Sequence, residues 1–371
     1  MGGSLSLGKV FGIPLRLHYT WFIIFVVLTI LLSLGYFPIA YPLWQRIVWG
    51  MITSLLFFAS VVAHELAHSL VAVNKGIPVK SITLFIFGGV SQIGREAARP
   101  ATELLIALVG PLCSLVLGGI FYGIGFLLQG ADMLLVGTFI QWLAFINIVL
   151  ALFNLIPGFP LDGGRVLRAI LWHFTGSHKR ATRIASLTGR GFGYLLIAGG
   201  IMIMFVTHDW FGGLWLAFIG WFLDNAASTS YRQELLHESL QRISAMEVMT
   251  ADCPVVPHDL TLRQLIDGYV LPSGHSFFMV VDQGKLEGAI TLHDIKAVPQ
   301  QRWDITTVRE SMTPAGKLKA VHPGQDALSI LEQMDEGGIN QIPVVMEGRV
   351  VGVIARDNLI RFLRARSELG M

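Results

Sequence analysis

Hydrophobic residues in the first part of the chain are grouped into long apolar stretches that short polar segments separate. A helix needs roughly 20 consecutive apolar residues to cross the hydrocarbon core of a bilayer. By that criterion, the pattern predicts about six transmembrane helices, at about residues 15–35, 47–73, 102–128, 133–156, 191–207 and 211–227. Only His208, Asp209 and Trp210 separate the last two stretches, which indicates a turn outside the bilayer. We therefore predict an α-helical membrane domain over residues 1–228.

The pattern changes near Tyr231, where shorter apolar runs begin to alternate with polar residues. Two similar segments follow: the first begins "VMTADCPVVPHDLTLRQLID" and the second begins "SMTPAGKLKAVHPGQDALSILEQM". Each predicts a strand, a helix and a two-stranded hairpin followed by a second helix. The duplicated order resembles a tandem pair of CBS domains, which is a soluble α/β unit. We place the copies at 242–299 and 306–366, after a linker at 229–241.

Composition and charge agree with a membrane protein and exclude a nucleic-acid-binding role. Of the 371 residues, 53% are hydrophobic and only 14% are charged, whereas soluble domains carry roughly 25% charged residues. The net charge is +2, and no basic stripe is concentrated in one segment. Cys113 and Cys253 lack nearby partners, so a disulfide framework is not expected. We interpret the first apolar run as a retained helix rather than a cleaved signal peptide.

Loop charges predict the orientation in the membrane. Basic residues cluster before the first predicted helix, between the second and third, and between the fourth and fifth: Lys9, Arg16, Lys75, Lys80, Arg95, Arg99, Arg165, Arg168, Lys179, Arg180, Arg183 and Arg190. Because positively charged loops stay on the cytoplasmic side, both termini are predicted to be cytoplasmic, in the cell (inner or plasma) membrane. The basic residues after Asp162 are expected to form a solvated face near anionic headgroups.

The second apolar stretch contains the motif H-E-x-x-H at His64, Glu65 and His68. Positions i and i+4 share one face of a helix, so both imidazoles can bind one metal ion. Glu65 projects from nearly the same face and can act as a general base on water beside that metal. Ionisable residues are rare in lipid-spanning helices and are usually functional there.

The fourth stretch ends in "NLIPGFPLDGGR", residues Asn154 to Arg165. Its prolines interrupt a helix and its glycines permit sharp turns. Non-helical backbone at membrane depth is tolerated only where protein or a water-filled cavity satisfies it. A catalytic zinc usually has three protein ligands, and Asp162 in this segment is the natural third ligand beside His64 and His68.

The two motifs together resemble the site-2 protease family of intramembrane metalloproteases. The resemblance covers roughly residues 1–225 and extends to the "GKVFGIPLRLHYTW" opening, to "FIFGGV" at 85–90 and to Gly110-Pro111. It implies one zinc ion per chain, with Glu65 as the general base and Asn154 as a catalytic residue that holds substrate or stabilises the oxyanion. Many relatives have Asn where this chain has Ser114. We expect no loss of catalysis from that difference.

A segment before the third predicted helix is expected to bind substrate. The resemblance implies a small β element that dips toward the site, with Phe87, Gly88 and Gly89 as substrate-binding residues. The substrates would be single-span membrane proteins, whose helices must unwind locally before cleavage. We hypothesise that the strand-like segment at 79–87 pairs with the unwound substrate by strand addition.

The CBS resemblance implies an adenine-nucleotide ligand on the tail. Comparable residues are Thr291 with Asp294 in the first copy, and Arg356 with Asp357 in the second. Arg356 stands where relatives carry a hydroxyl residue, which weakens that half of the site. A homodimerisation platform without ligand is an equally good reading of the pair.

Other readings of the membrane motifs remain open. The His-Glu-His cluster is also compatible with a helix-pairing polar group or with an ion site in a CBS-regulated transporter or channel. Asp162 is compatible with a turn former, and Asn154 with an interhelical hydrogen bond. A ligand-sensing scaffold with an inactive protease domain is a third function, although an intact Glu65 argues against it.

Overall fold

The computed structural model describes residues 4–86, 88–94, 96–128, 134–241, 243–251, 254–282, 285–346 and 349–368. The chain forms two compact units, Met1–Glu234 and Leu235–Met371. The predicted linker at 229–241 lies in the last helix that begins in the first unit, and that helix continues without a break to Gln241.

The first unit is mostly helical. Its helices are α1 (Thr20–Leu31, extended by a π-helical turn at Leu32–Tyr36), α2 (Leu43–Asn74), α3 (Pro100–Leu128), α4 (Leu134–Asn154), α5 (Asp162–Thr175), α6 (His178–Val206) and α7 (Trp210–Gln241). Among the described residues, four helices are long and apolar enough to cross a membrane: Leu43–Asn74, Pro100–Leu128, Val136–Asn154 and His178–Val206. The first predicted span corresponds to a shorter apolar helix, Thr20–Tyr36. The count of six therefore stays a prediction.

A four-stranded sheet accompanies these helices. Its strands are β1 (Ser4–Val10), β2 (Ile13–His18), β3 (Val79–Phe85) and β4 (Gly88–Ile93), in the order β1-β2-β3-β4. The β1–β2 and β3–β4 pairs are antiparallel, whereas β2 and β3 are parallel. The sheet packs on α1 and α2 because Leu17 of β2 and Leu84 of β3 are buried with Trp21, Phe58 and Val61.

The hypothesis that residues 79–87 accept the substrate strand is wrong for residues 82–84 of β3. Residues 82–84 of β3 already pair with β2 on one side and with β4 on the other. A strand with both edges occupied has no backbone donors or acceptors left for a third partner. Among the described strands, β4 is the one that ends the sheet beside β3. Its outer edge is where a further strand can add.

The second unit contains short helices and two β-structures. Its strands are β5 (Val255–Val256), β6 (Phe277–Asp282), β7 (Lys285–Thr291), β8 (Thr313–Pro314), β9 (Gln341–Met346) and β10 (Arg349–Ala355). Its α-helices are α8 (Ala245–Val248), α9 (Leu262–Leu265), α10 (Leu271–Ser273), α11 (Leu292–Ala297), α12 (Val308–Ser311), α13 (Ala327–Gly337) and α14 (Arg356–Glu368). Strands β5 to β8 form one sheet, and β9 pairs with β10.

The two repeated copies pack against each other within this unit. Phe277 and Met279 of β6 share a buried cluster with Val353 of β10. Gln341 Nε2 donates a hydrogen bond of 2.7 Å to Ser276 Oγ. The tail also has two apolar cores, and each includes residues from the start of the other copy. One core packs Ile243, Ala245 and Val248 with the second copy, and the other packs Val308 with the first copy. The tail is a pair of similar α/β modules, as the repeat predicted.

Candidate metal centre

Two buried imidazoles lie one helical turn apart on α2. His64 and His68 are each less than 5% exposed, at 4% and 3%. Their Nε2 atoms are 3.2 Å apart, and their ring planes meet at 77°. The i, i+4 spacing therefore places both ring nitrogens on one face of the helix, as the motif predicted.

Asp162 completes a triangle with these two nitrogens. It is the first residue of α5, immediately after the Pro-rich segment that follows α4. Its Oδ2 lies 3.1 Å from Nε2 of His64 and 3.1 Å from Nε2 of His68. Three donor atoms from two helices, far apart in the sequence, thus converge on one point at the apolar interior of the unit.

The donor set and its spacing fit a zinc ion. Two imidazole nitrogens and one carboxylate oxygen are a ligand set found in catalytic zinc sites. Ligands that bind tetrahedral zinc at about 2.1 Å are about 3.4 Å from one another, which is close to the edges of this triangle. Gly110 of α3 leaves space beside the two imidazole nitrogens of this triangle. A Cβ built there would collide with Nε2 of His68 and lie 2.8 Å from Nε2 of His64.

The other nitrogen of each ring contacts α3. Nδ1 of His68 donates to the Ile106 carbonyl oxygen at 2.6 Å, and Nδ1 of His64 lies 2.9 Å from Ser114 Oγ. Such partners orient the ring of a metal-binding histidine and fix its tautomer. With its proton on Nδ1, His68 presents the Nε2 lone pair to the triangle. Ser114 is therefore in contact with the centre, and sequence reasoning had given it no role.

Glu65 lies next to the triangle and contacts the sheet. Its Oε2 accepts a hydrogen bond of 2.7 Å from Ser91 Oγ on β4, and Ser69 Oγ donates to Ser91 Oγ at 3.1 Å. Gly89 packs directly on the Glu65 side chain, because a Cβ at Gly89 would lie 2.5 Å from Glu65 Cγ. Ser69 has a sequence signal that was overlooked, since it lies four residues after Glu65 on the same helix face.

Three other residues of this region were predicted to act on the substrate: Asn154, Phe87 and Gly88. Asn154 is the last residue of α4, and its amide donates to the Leu150 carbonyl of the same helix at 3.0 Å. Gly88 begins β4 with a φ of 124°, a backbone conformation that favours glycine. Phe87 lies outside the described residues. The roles of these three residues remain predictions.

A buried ion pair joins α5, the helix that begins at Asp162, to α3. Arg168 of α5 forms an ion pair with Glu103 of α3, and its guanidinium lies 5.1 Å from the centre of the Phe159 ring. Glu103 is only 1% exposed and Arg168 is 9% exposed. The expectation that the basic residues after Asp162 form a solvated face is therefore wrong for Arg168. Arg168 is buried because its guanidinium pairs with the buried carboxylate of Glu103.

The predicted nucleotide-binding residues of the tail lie at the starts of α11 and α14. Thr291 Oγ1 donates to Asp294 Oδ2 at 2.7 Å, and Asp294 N–H donates to Thr291 Oγ1, so the two residues cap α11. Arg356 Nη2 lies 2.6 Å from Asp335 Oδ1 of α13. Asp357 is exposed in the first turn of α14. The contacts of Thr291, Asp294 and Arg356 lie within their own copies.

The chain is similar to proteins of two known families. The family model of Peptidase family M50 matches residues 52–135 and 131–197, and the CBS domain model matches 245–300 and 305–365. A Synechocystis protein that carries the name zinc metalloprotease is 37% identical over 98% of this chain and 96% of its own length.

A curated sequence and a solved structure from Methanocaldococcus jannaschii are also similar to this chain. Its zinc metalloprotease MJ0392 is 31% identical, covering 100% of this chain and 99% of the relative. Its solved site-2 protease is 32% identical and covers 62% of this chain and 95% of its own, with a TM-score of 0.44. On the full-length similarity to named zinc metalloproteases, the chain belongs to peptidase family M50 and is a membrane-embedded, site-2 protease-like zinc metalloprotease with a tandem pair of CBS domains.

Proposed function

We propose that the protein cleaves transmembrane segments of single-span membrane proteins, using one zinc ion held by His64, His68 and Asp162. The observation that carries this proposal is the convergence of their three donor atoms, 3.1–3.2 Å apart, where α5 begins beside the apolar helix α2. A transport site has no need for a general base beside two such ligands, so the arrangement favours hydrolysis over an ion pathway.

The residues of this chain divide the hydrolysis between them. Bound zinc would acidify a water molecule and polarise the scissile carbonyl. Glu65 would take the proton of the attacking water and later deliver it to the leaving amine as the C–N bond breaks. Asn154 would hold the substrate or donate to the oxyanion, after its amide leaves the Leu150 carbonyl.

The substrate would reach these groups in extended form. A helical substrate protects its peptide bonds by internal hydrogen bonding, so it must unwind before attack. Among the described strands, β4 ends the sheet beside β3, so its outer edge is where such a strand would add. Gly88 and Gly89 lie on that strand, and Gly89 packs against Glu65. A substrate strand on β4 would therefore run beside the general base.

The variant Glu65→Gln tests the proposed chemistry. It should retain stoichiometric zinc and lose cleavage of a co-expressed single-span protein, measured by elemental analysis and immunoblotting. Glu310→Gln is the matched control, because glutamine also supports the capping box that Glu310 forms. Unchanged proteolysis in the Glu65→Gln variant would reject the proposal.

Proline scanning tests the docking edge. Val90→Pro removes a backbone donor from the middle of β4, so it should abolish cleavage while zinc stays bound. Leu7→Pro makes the same change in β1, the strand at the opposite end of the sheet. Equal cleavage by the two variants would mean that β4 does not receive the substrate.

The tail and the orientation carry further proposals. We propose, first, that an adenine nucleotide binds the tail at Thr291, Asp294, Arg356 and Asp357. We propose, second, that the CBS pair forms a homodimer. We propose, third, that both termini are cytoplasmic in the cell membrane. Calorimetric titration of the full-length protein with ATP and AMP tests the first. Mass photometry in detergent tests the second. Cysteine accessibility in intact cells tests the third.

A further inference from the structure

The hydroxyl of Ser91 joins strand β4 to the carboxylate of Glu65. Ser91 has one proton to donate, and its short contact is the 2.7 Å bond to Glu65 Oε2 rather than the 3.3 Å contact with the Glu65 carbonyl oxygen. Its lone pair accepts from Ser69 Oγ at 3.1 Å. The two hydrogen bonds therefore run in one direction. Ser69 donates to Ser91, and Ser91 donates to the Glu65 carboxylate.

Gly89 shows that the same face of β4 covers Glu65. Residues i and i+2 of a strand point to the same side of a sheet. Gly89 packs on the Glu65 Cγ, and Ser91, two residues later, bonds its Oε2. Glu65 is thus held at two points by one strand, through the packing of Gly89 on Cγ and through the hydrogen bond of Ser91 to Oε2.

We propose that Ser91 is a positioning residue through which β4 aligns Glu65 for proton abstraction when a substrate strand occupies the open edge of β4. This inference rests on the proposed function. A glutamate side chain has several rotatable bonds, so an unrestrained carboxylate would spend little time in the reactive orientation. Because β4 both receives the substrate and holds the base, docking and alignment of the base share one rigid element.

The position of β4 in the sheet makes this coupling direct. Ser91 pairs with Ile82 of β3, and Ile82 is buried at 1% exposure. Strand β4 is therefore anchored on its β3 side. Ser91 holds Glu65 from a fixed position beside the edge at which the substrate would add.

The test compares three single variants with the wild type for kcat, KM and zinc content on a reconstituted single-span substrate. Ser91→Ala should lower kcat by about tenfold to a hundredfold, with KM and zinc content nearly unchanged. Ser91→Thr keeps the hydroxyl and suits a strand, so it should recover most of the activity. Ser81→Ala is the matched control, since Ser81 is a buried serine of β3 that donates to Gln92 rather than to Glu65.

A second measurement does not depend on turnover. In the Glu65→Gln background, which traps substrate, Ser91→Ala should leave the amount of co-purified substrate unchanged, because Ser91 acts on the base and not on the substrate. Loss of trapping would make Ser91 a substrate contact and overturn the inference. So would a wild-type kcat for Ser91→Ala, or no recovery by Ser91→Thr. Absence of cleavage by the wild type would instead contradict the proposed function.

Discussion

The metal centre and the polar residues at the start of helices α11 and α14 show two different ways in which polar side chains find partners. His64 and Asp162 are 98 residues apart, yet their donor atoms lie 3.1 Å from each other in a buried part of the first unit. Thr291 and Asp294 are three residues apart and bond each other at the start of α11. Both sets were expected from the sequence to bind ligands.

The difference lies in what each arrangement costs without a ligand. Thr291 and Asp294 form a capping box, which stabilises a helix whether or not a nucleotide is present. Buried imidazoles and a partly buried carboxylate lose hydration on folding, and such groups need compensating partners. Long-range convergence of buried ligand atoms therefore indicates a function more strongly than a local contact does. The following variants sharpen or break this comparison, from the largest expected effect to the smallest.

Loss of one metal ligand should abolish the function of the metal centre, whereas a change at the α11 cap should leave it intact. His68→Ala removes one donor of the triangle, so zinc should fall below stoichiometry and cleavage should fall at least about ten-thousandfold, since metal assistance supplies several kcal/mol. Elemental analysis and a cleavage assay measure both, and Thr291→Ala serves as the tail comparison. Full zinc occupancy in His68→Ala would remove this residue from the ligand set.

Breaking the buried ion pair should destabilise the first unit. Arg168→Gln leaves the buried Glu103 carboxylate without its partner, and such a loss costs about 3–5 kcal/mol. Thermal unfolding in detergent should show a lower midpoint, and zinc should dissociate earlier because α5 carries Asp162. The double variant Arg168→Met with Glu103→Met should be closer to the wild type. If single and double variants unfold alike, the pair does not stabilise α5.

A methyl group at Gly110 should disturb the metal centre without removing a ligand. Gly110→Ala places a Cβ against Nε2 of both histidines, so zinc affinity and cleavage should each fall by about a hundredfold, as strained coordination weakens metal binding. Gly119→Ala is the control on the same helix, because a Cβ there meets nothing within 4 Å. Equal zinc affinity for the two variants would show that the rings do not approach Gly110.

Removal of the α11 cap should have the smallest effect and should be confined to the tail. Thr291→Ala loses a capping hydroxyl, which costs about 1 kcal/mol of stability. Thermal unfolding of the tail transition should detect it, while zinc content and basal cleavage stay at wild-type values. Thr291→Ser keeps the cap and should show no shift. A large loss of basal cleavage in Thr291→Ala would link this cap to the protease unit.

The sequence by itself determined the features that depend on local spacing. The i, i+4 separation of His64 and His68 follows from the helical period, and the apolar run around them makes a membrane helix. The duplicated order of strands and helices in the tail is equally local, because each strand and helix has its own short pattern of apolar and polar residues. Asp162 was selected by ligand count and by the broken backbone around it, and the structure brings its Oδ2 to both rings.

Only the tertiary structure decided which elements surround these residues. The Ile106 carbonyl that accepts from His68 is a backbone atom, which no side-chain pattern can mark. The Arg168–Glu103 pair and the Ser91–Glu65 bond join positions on separate elements. The sheet order, which leaves β4 rather than β3 at the edge, was also beyond a strand-by-strand reading. Periodicity describes one element at a time, whereas these contacts depend on how several elements pack, and packing is set by the shapes of all their side chains together.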